Sequence, residues 1–169
     1  MTNAAKIQRL RLEDRSETES LAHRLALVLQ VGDVVFLRGA LGAGKSTFAR
    51  AVIRALTTPD EEAPSPTFTL VQTYPTAQFD LWHLDLYRLS DSEEVYELDI
   101  EDAFHHAVTL IEWPERLGDL APATRLELEF ALETRKDGEA HESSARLLVA
   151  TGFGTWQDRL SFIDEGTAK

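Results

Sequence analysis

The chain has 169 residues, of which 43% are apolar and 27% are charged, which is the composition of an ordinary globular domain. It contains no cysteine, which excludes disulfides and thiolate metal sites, and no apolar run near the roughly 18 residues of a membrane span. Its formal net charge of −12 argues against a surface that grips nucleic acid directly, because such surfaces are basic. We expect a single cytoplasmic domain over residues 1–169, with no membrane contact.

The first half of the chain predicts a strand, a helix, a buried strand and a second helix. Alternating apolar and polar residues over 7–12 predict the first strand. A capping-box pattern from Ser16 to Glu19 predicts the start of the first helix. After a turn at Gly32, the continuous apolar run 34–37 is typical of a strand buried on both faces of a parallel sheet. The apolar residues that mark the two helices are Leu21, Leu25, Val28 and Leu29 in the first, and Phe48, Val52, Ile53 and Leu56 in the second.

The second half predicts alternating strands and helices after a loop. Residues 57–66 are polar and contain prolines, and a loop of this length indicates a functional or mobile segment. The strands that we predict next are 68–74 and 79–87 (an antiparallel pair), 108–111, 126–130 and 146–150, the last two joined by a turn at 136–138. Two further helices are predicted over 90–104 and 155–163.

Residues 39–46 match G-x-x-x-x-G-K-[ST], the P-loop motif, between the predicted buried strand and the second helix. The glycines let backbone N–H groups turn toward phosphate oxygens, and the helix adds its positive N-terminal end. In this motif Lys45 contacts the β and γ phosphates and the Ser46 hydroxyl binds magnesium. We therefore expect ATP and Mg²⁺ to bind here. The residues assigned to the nucleotide are Leu41, Gly42, Ala43, Gly44, Lys45, Ser46 and Thr47.

The predicted fold class is α/β: a P-loop NTPase-type domain with a parallel core sheet flanked by helices and extended by antiparallel edge strands. In such sheets ligands bind at the carboxyl ends of the strands. Glu112 follows the strand 108–111, and Asp85 lies near the end of 79–87. Either carboxylate could hold a metal-bound water or orient the attacking water. Asp80 is a weaker candidate, because strand alternation puts it on the face opposite Asp85.

Two aromatic side chains beside these acids have more than one interpretation. His83 lies two residues before Asp85, and a packed strand histidine is favoured over a catalytic one. Trp113 follows Glu112, and it either covers the base or ribose or contributes to packing.

Four stretches of this chain resemble the TsaE family of small bacterial P-loop ATPases. They are residues 38–47, 65–71, 83–89 and 111–114, in the order and spacing of that family. The Ser-Pro-Thr-Phe and His-x-Asp-Leu-Tyr-Arg-Leu stretches are more specific than the P-loop, which many ATPases share. The resemblance spans residues 16–120. Beyond residue 121 only a pattern of strands remains, and the resemblance carries no site residue into that region.

The resemblance implies ATP hydrolysis in an assembly with TsaB and TsaD. That pair transfers a threonylcarbamoyl group onto the adenosine beside the anticodon of tRNA, and hydrolysis resets the assembly. The tRNA would be contacted only through the partners, which agrees with the acidic charge. The family's roles would fall on Lys45 for phosphates, Ser46 and Glu112 for magnesium, Asp85 for hydrolysis, and Thr67 on a nucleotide-sensing loop. The family often has threonine where Ser46 stands, and often glycine within 98–100.

Two other functions fit parts of the same sequence. A P-loop small-molecule kinase would need an arginine-bearing lid, but the arginines of the later half are scattered singly. A nucleotide-gated interaction module would bind ATP without significant hydrolysis. The presence of both Asp85 and Glu112 argues against it, because a protein that only binds ATP has less need of two acids there.

Overall fold

The structure of the protein, a computed structural model, describes residues 4–91, 93–133 and 145–164. The predicted turn at 136–138 lies outside these residues. Within these residues, seven strands form one mixed sheet: β1 (Lys6–Leu12), β2 (Val34–Arg38), β3 (Val71–Pro75), β4 (Asp80–Asp85), β5 (Ala107–Glu112), β6 (Arg125–Leu132) and β7 (Arg146–Phe153). The same ranges contain five α-helices: α1 (Arg15–Val28), α2 (Lys45–Leu56), α3 (Glu93–Tyr96), α4 (Ile100–His106) and α5 (Ser161–Asp164). Short 3₁₀ helices cover Pro114–Leu120 and Gly154–Asp158.

The strand order is β1-β7-β6-β2-β5-β4-β3. The four central strands, β6, β2, β5 and β4, pair in parallel, whereas β7 and β1 at one edge and β3 at the other pair antiparallel. The predicted parallel core with antiparallel edges is therefore confirmed. Every residue of β5 is buried, and so are the first four of β2, as expected for strands covered on both faces.

The two faces of the sheet bury separate apolar clusters. Val35 and Leu37 of β2 pack in one cluster with residues of α1, α2 and α5. Val34 and Phe36 point the other way and pack with α3, α4 and the 3₁₀ helix Pro114–Leu120. Helices thus cover both faces. No helix within the described ranges combines the length and apolar character that crossing a membrane requires.

Three predicted elements have other bounds in the structure. The first strand of the predicted pair, 68–74, begins only at Val71, because Leu70 adopts a left-handed conformation (φ 65°) and its N–H bonds Pro66 O. The second, 79–87, ends at Asp85. The predicted terminal helix 155–163 is split into the 3₁₀ helix Gly154–Asp158 and α5.

The predicted helix 90–104 is broken between α3 and α4. Asp99 sits in the left-handed region (φ 52°) at the break. Val95 and Ile100 are both buried in the same cluster. Five residues apart on a continuous helix, their side chains would point about 140° away from each other. Interrupting the helix lets both of them reach the core.

Helix α1 begins earlier than the predicted Ser16–Glu19 capping box. The N-cap is Asp14, whose Oδ1 accepts a hydrogen bond from the Glu17 N–H at 3.0 Å. The Glu17 side chain in turn accepts from the Glu13 N–H at 2.7 Å. The capping interaction therefore exists, but it is formed two residues before the predicted position, since Asp14 is also a strong N-cap residue.

Replacing the observed cap should destabilise the protein. We expect Asp14→Ala to lower the free energy of unfolding by about 1 kcal/mol, because the Glu17 N–H loses its acceptor. Denaturant unfolding measures this change, and Ser16→Ala is the matched control, expected within about 0.5 kcal/mol of the native protein. An equal loss in Ser16→Ala would favour the cap that the sequence predicts.

Candidate functional site

The loop 39–46 connects the end of β2 to the start of α2 and depends on its glycines. Gly39, Gly42 and Gly44 have φ values of 133°, 76° and 115°, a region that other residues rarely adopt. A Cβ atom at Gly39 would also overlap the carbonyl oxygen of Phe130 on β6. Helix α2 begins at Lys45 directly after Gly44, so its N-terminal turn faces the same space as the loop.

The side chain of Lys45 folds back over this loop. Its Nζ donates to the carbonyl oxygens of Gly39 and Ala40, the latter at 2.9 Å. Nζ also lies 4.3 Å from the ring centroid of Trp113, within cation–π range. Burial lowers the pKa of Lys45, and the nearby charges of Glu112, Asp85 and Glu115 partly oppose that shift. The site therefore contains a largely desolvated ammonium between a backbone loop and two carboxylates.

The two candidate acids are paired across neighbouring strands. Asp85 ends β4, Glu112 ends β5, and they are register partners in the parallel ladder. Glu112 is only 1% exposed, and its Oε1 accepts a hydrogen bond of 2.9 Å from the Ser46 hydroxyl. Its Oε2 lies 3.4 Å from Nε2 of the buried His83, although this contact lacks hydrogen-bond geometry. His83 is packed within the sheet, as the sequence favours, and it also contacts the site.

Asp85 holds a loop segment against the site. Its Oδ2 accepts hydrogen bonds from the hydroxyls of Ser65 at 3.3 Å and Thr67 at 3.2 Å. Its Oδ1 accepts from the Tyr87 N–H at 3.0 Å. Asp80, at the opposite end of β4, is exposed and lies far from this network in the strand register. Asp85 is thus the acid of this strand that faces the loop 39–46.

These groups surround one cavity of about 310 Å³. Trp113 and Tyr87 form an aromatic wall, with their ring centroids 4.9 Å apart. Ala43 is buried within the loop rather than at the cavity surface. The other sequence-predicted residues line the cavity: Leu41, Gly42, Gly44, Lys45, Ser46, Thr47, Thr67, Asp85, Glu112 and Trp113.

A family model described as "Threonylcarbamoyl adenosine biosynthesis protein TsaE" matches residues 12–141 of this chain. The chain belongs to the TsaE family. Among relatives named tRNA threonylcarbamoyladenosine biosynthesis protein TsaE, that of Rickettsia bellii is 40% identical over 121 residues, which cover 72% of this chain and 84% of the relative. That of Aquifex aeolicus is 38% identical over 126 residues, covering 74% and 89%. That of Bacillus subtilis is 35% identical over 113 residues, covering 66% and 70%.

The fold is also similar to a solved structure. The crystal structure of Bacillus subtilis YdiB superposes with a TM-score of 0.74 at 25% sequence identity, covering 98% of this chain and 96% of that one. The mixed sheet with helices on both faces is therefore an arrangement that a crystallised protein also adopts.

Sequence reasoning assigned no role to three residues that line the cavity. Ser65 and Tyr87 lie in the family motifs, and their positions beside Thr67 and Asp85 could have suggested them. Arg146 lies beyond residue 121, a region into which the resemblance carries no site residue. Its Nε donates to the Ala43 carbonyl at 2.9 Å from strand β7, which lies between β1 and β6 and is antiparallel to both. No local motif marks that contact.

The donor set fits a magnesium ion that also binds phosphates. Magnesium takes oxygen ligands, usually one or two carboxylates together with substrate phosphates and water. The Ser46 hydroxyl and the Glu112 carboxylate adjoin each other, and Glu112 Oε2 has no hydrogen-bond partner. Across the described ranges, no group of three or more histidine or acidic side chains is placed to hold a metal ion by itself. The side chains present therefore suit an ion that arrives with a nucleotide.

Removing the Asp85 carboxylate should free the segment that it holds. In Asp85→Ala the Tyr87 N–H and two loop hydroxyls lose their acceptor, and we expect the Tyr87 amide to exchange with solvent about tenfold faster or more. Hydrogen exchange read by NMR measures this rate. Asp80→Ala, at the other end of the same strand, is the matched control and should leave the rate unchanged. An unaltered exchange rate of the Tyr87 amide in Asp85→Ala would show that the Asp85 carboxylate does not hold this segment.

Proposed function

We propose that this chain is the ATPase of tRNA threonylcarbamoyladenosine biosynthesis, and that it binds and hydrolyses Mg-ATP in a cytoplasmic assembly with TsaB and TsaD. The observation that carries the proposal is the convergence of Lys45, Ser46, Asp85 and Glu112 on one cavity at the carboxyl ends of parallel strands. Membership of the TsaE family supports a role in tRNA threonylcarbamoyladenosine biosynthesis, and the residues of this cavity support the binding and hydrolysis of Mg-ATP. Both agree with a domain of the P-loop NTPase type.

Binding of the phosphates rests on the loop 39–46 and the helix that follows it. The N-terminal turn of α2 directs N–H groups and the positive end of the helix dipole toward the cavity. Lys45 provides a positive charge at the same place, and exchanging its two carbonyl acceptors for phosphate oxygens would give it stronger, charge-assisted hydrogen bonds. The cavity therefore suits a polyphosphate better than a neutral metabolite.

The magnesium role falls to Ser46 and Glu112, the two side chains already joined by a hydrogen bond. A bound magnesium ion would neutralise part of the charge on the phosphates and so favour attack on the γ phosphorus. The position of the Glu112 carboxyl group is fixed there, because the Ser46 hydroxyl donates to it and the side chain is almost completely buried.

Hydrolysis needs a group that orients water, and two acids line the cavity. Glu112 is tied to Ser46, whereas Asp85 borders the cavity between the sheet and the segment 65–70. We assign the orientation of the attacking water to Asp85 or Glu112, as carboxylates that accept its proton or hydrogen bond. The Thr67 hydroxyl, bonded to Asp85, would carry a change at the γ phosphate into the loop.

A partner surface adjoins the cavity. Leu41, Phe68 and Tyr87, here called the apolar rim, are 67%, 80% and 44% exposed. Exposed large apolar side chains grouped at a site are typical of a surface that binds another protein. We assign this rim to the TsaB–TsaD pair. The net charge of −12 fits tRNA that is held by those partners rather than by this chain.

The decisive experiment is magnesium-dependent ATP turnover by the purified chain, alone and with TsaB and TsaD from the same organism. We expect slow turnover alone and faster turnover with the pair. Lys45→Ala should reduce both rates about 100-fold or more, because the positive charge that would stabilise the transferred phosphoryl group is lost.

Other results would favour the other functions. Turnover that ignores the pair would contradict the partner assignment while leaving the ATPase in place. Transfer of phosphate to a metabolite would indicate a kinase. ATP binding without hydrolysis under any condition would indicate a nucleotide-gated module.

The magnesium assignment has its own test at Ser46. Ser46→Ala removes the hydroxyl, and we expect nucleotide affinity to lose most of its dependence on Mg²⁺ while affinity without Mg²⁺ changes little. Ser46→Thr retains a hydroxyl and is the matched control, expected to keep the dependence. Titration of ADP with and without Mg²⁺ measures both. An unchanged Mg²⁺ dependence in Ser46→Ala would exclude Ser46 as a metal ligand.

A further inference from the structure

An arginine from strand β7, two strands away from β2 in the sheet, contacts the P-loop. Arg146 is the first residue of β7, opposite Leu132 on β6. Its Nε donates a 2.9 Å hydrogen bond to the carbonyl oxygen of Ala43, and its side chain lines the cavity beside Gly44. Arg146 lies beyond residues 12–141, the stretch that the family model matches, so family membership assigns it no role.

This hydrogen bond constrains the peptide between Ala43 and Gly44. In a planar trans peptide the C=O and the N–H point in opposite directions, and the described chain has no cis peptide. A bond that fixes the Ala43 carbonyl toward Arg146 therefore fixes the Gly44 N–H away from it. Gly44 has φ 115° and no side chain to limit its backbone, so a hydrogen bond from outside the loop has a large effect on the orientation of its N–H.

The rest of the loop holds the neighbouring peptide. The Ala43 N–H, which belongs to the Gly42–Ala43 peptide, donates to the Ala40 carbonyl at 3.1 Å, and the Ala43 side chain is buried. The Arg146 Nε would lie 3.7 Å from a Cβ at Gly44, so the guanidinium packs alongside that residue. A charged donor makes a stronger bond to a carbonyl than a neutral one does. The hydrogen bond from Arg146 thus restrains the Ala43–Gly44 peptide.

We propose that Arg146 is a positioning residue of the P-loop, which holds the Ala43–Gly44 peptide so that the Gly44 N–H faces a nucleotide phosphate. This role rests on the nucleotide-binding function proposed above. It acts through the backbone of Gly44 and requires the directional Nε donor, not merely a positive charge. Because ADP and ATP share the phosphates that the loop surrounds, the effect applies to both nucleotides.

A purely structural role is the alternative. Arg146 also bonds the Ala145 carbonyl through Nη1 at 3.3 Å, and it could serve only to fix the start of β7. In that case its loss would lower the stability of the fold and leave the affinity of folded protein for nucleotide unchanged. The positioning role predicts the reverse: weaker binding with little change in the unfolding midpoint measured without nucleotide.

The experiment compares Arg146→Met, Arg146→Lys and Arg9→Met in the full chain. Arg146→Lys keeps the charge but lacks the guanidinium Nε, and it also serves if Arg146→Met does not fold. Arg9, exposed on β1 and paired in register with Val149 of β7, is the control for removing one charge from this edge. The readouts are the ADP dissociation constant by calorimetry, the shift of the Gly44 amide resonance on ADP addition, and the thermal midpoint without nucleotide.

We expect both Arg146 variants to bind ADP about tenfold more weakly and to show a reduced response of the Gly44 amide, with Arg9→Met unchanged. Native-like ADP binding by Arg146→Lys would overturn the role as proposed, since an ammonium group would then replace the guanidinium Nε. Native-like binding by both variants with a lowered thermal midpoint would overturn it in favour of the structural alternative. If the unaltered chain binds no ADP, the proposed function itself fails, and this role fails with it.

Discussion

The site depends on the register between strands β4 and β5. Asp85 and Glu112 are paired residues at the carboxyl ends of these parallel strands, and both face the side of the sheet that α2 covers. A slip of one residue in β4 would turn Asp85 to the opposite face. It would also exchange Leu81 and Leu84, which pack into different apolar clusters, so the core holds the register that the acids require.

Bringing these charges together opposes stability. Lys45, Asp85 and Glu112 are almost completely buried, and desolvating charged groups costs free energy unless their partners are fixed. Each of these side chains has hydrogen-bond partners within the site: two loop carbonyls for Lys45, two hydroxyls and an N–H for Asp85, and one hydroxyl for Glu112. Stability therefore comes from the apolar clusters on the two faces of the sheet. Buried titratable groups concentrated at one cavity are typical of a functional site.

Sequence patterns predicted the structure correctly where the conformation depends on residues that are neighbours in the sequence. The apolar runs predicted β2 and β5, and the glycine spacing predicted the loop before α2. They were insufficient where a distant residue decides the conformation. The predicted strand 68–74 begins three residues late, in a segment that Asp85 holds through Ser65 and Thr67, and the contact of Arg146 with Ala43 spans 103 positions of the chain. The helix 90–104 breaks because of what its buried side chains contact, which local propensity does not record.

The geometry of Asp85 links the proposed hydrolysis site to the proposed docking surface. One carboxylate oxygen binds Ser65 and Thr67, and Thr67 precedes the exposed Phe68. The other binds the N–H of Tyr87, whose ring packs on Trp113 next to Lys45. The segment 65–70 is held by hydroxyl contacts of 3.2 and 3.3 Å and by one backbone hydrogen bond, from the Asp85 N–H to the Leu70 carbonyl, because the ladder of β3 begins only at Val71. With fewer backbone bonds than a strand, it can move at lower cost than the strands beside it. A partner that displaces Phe68 or Tyr87 would therefore act directly on the partners of the Asp85 carboxylate. In the proposed function, this connection lets assembly with TsaB and TsaD change hydrolysis without contacting the nucleotide.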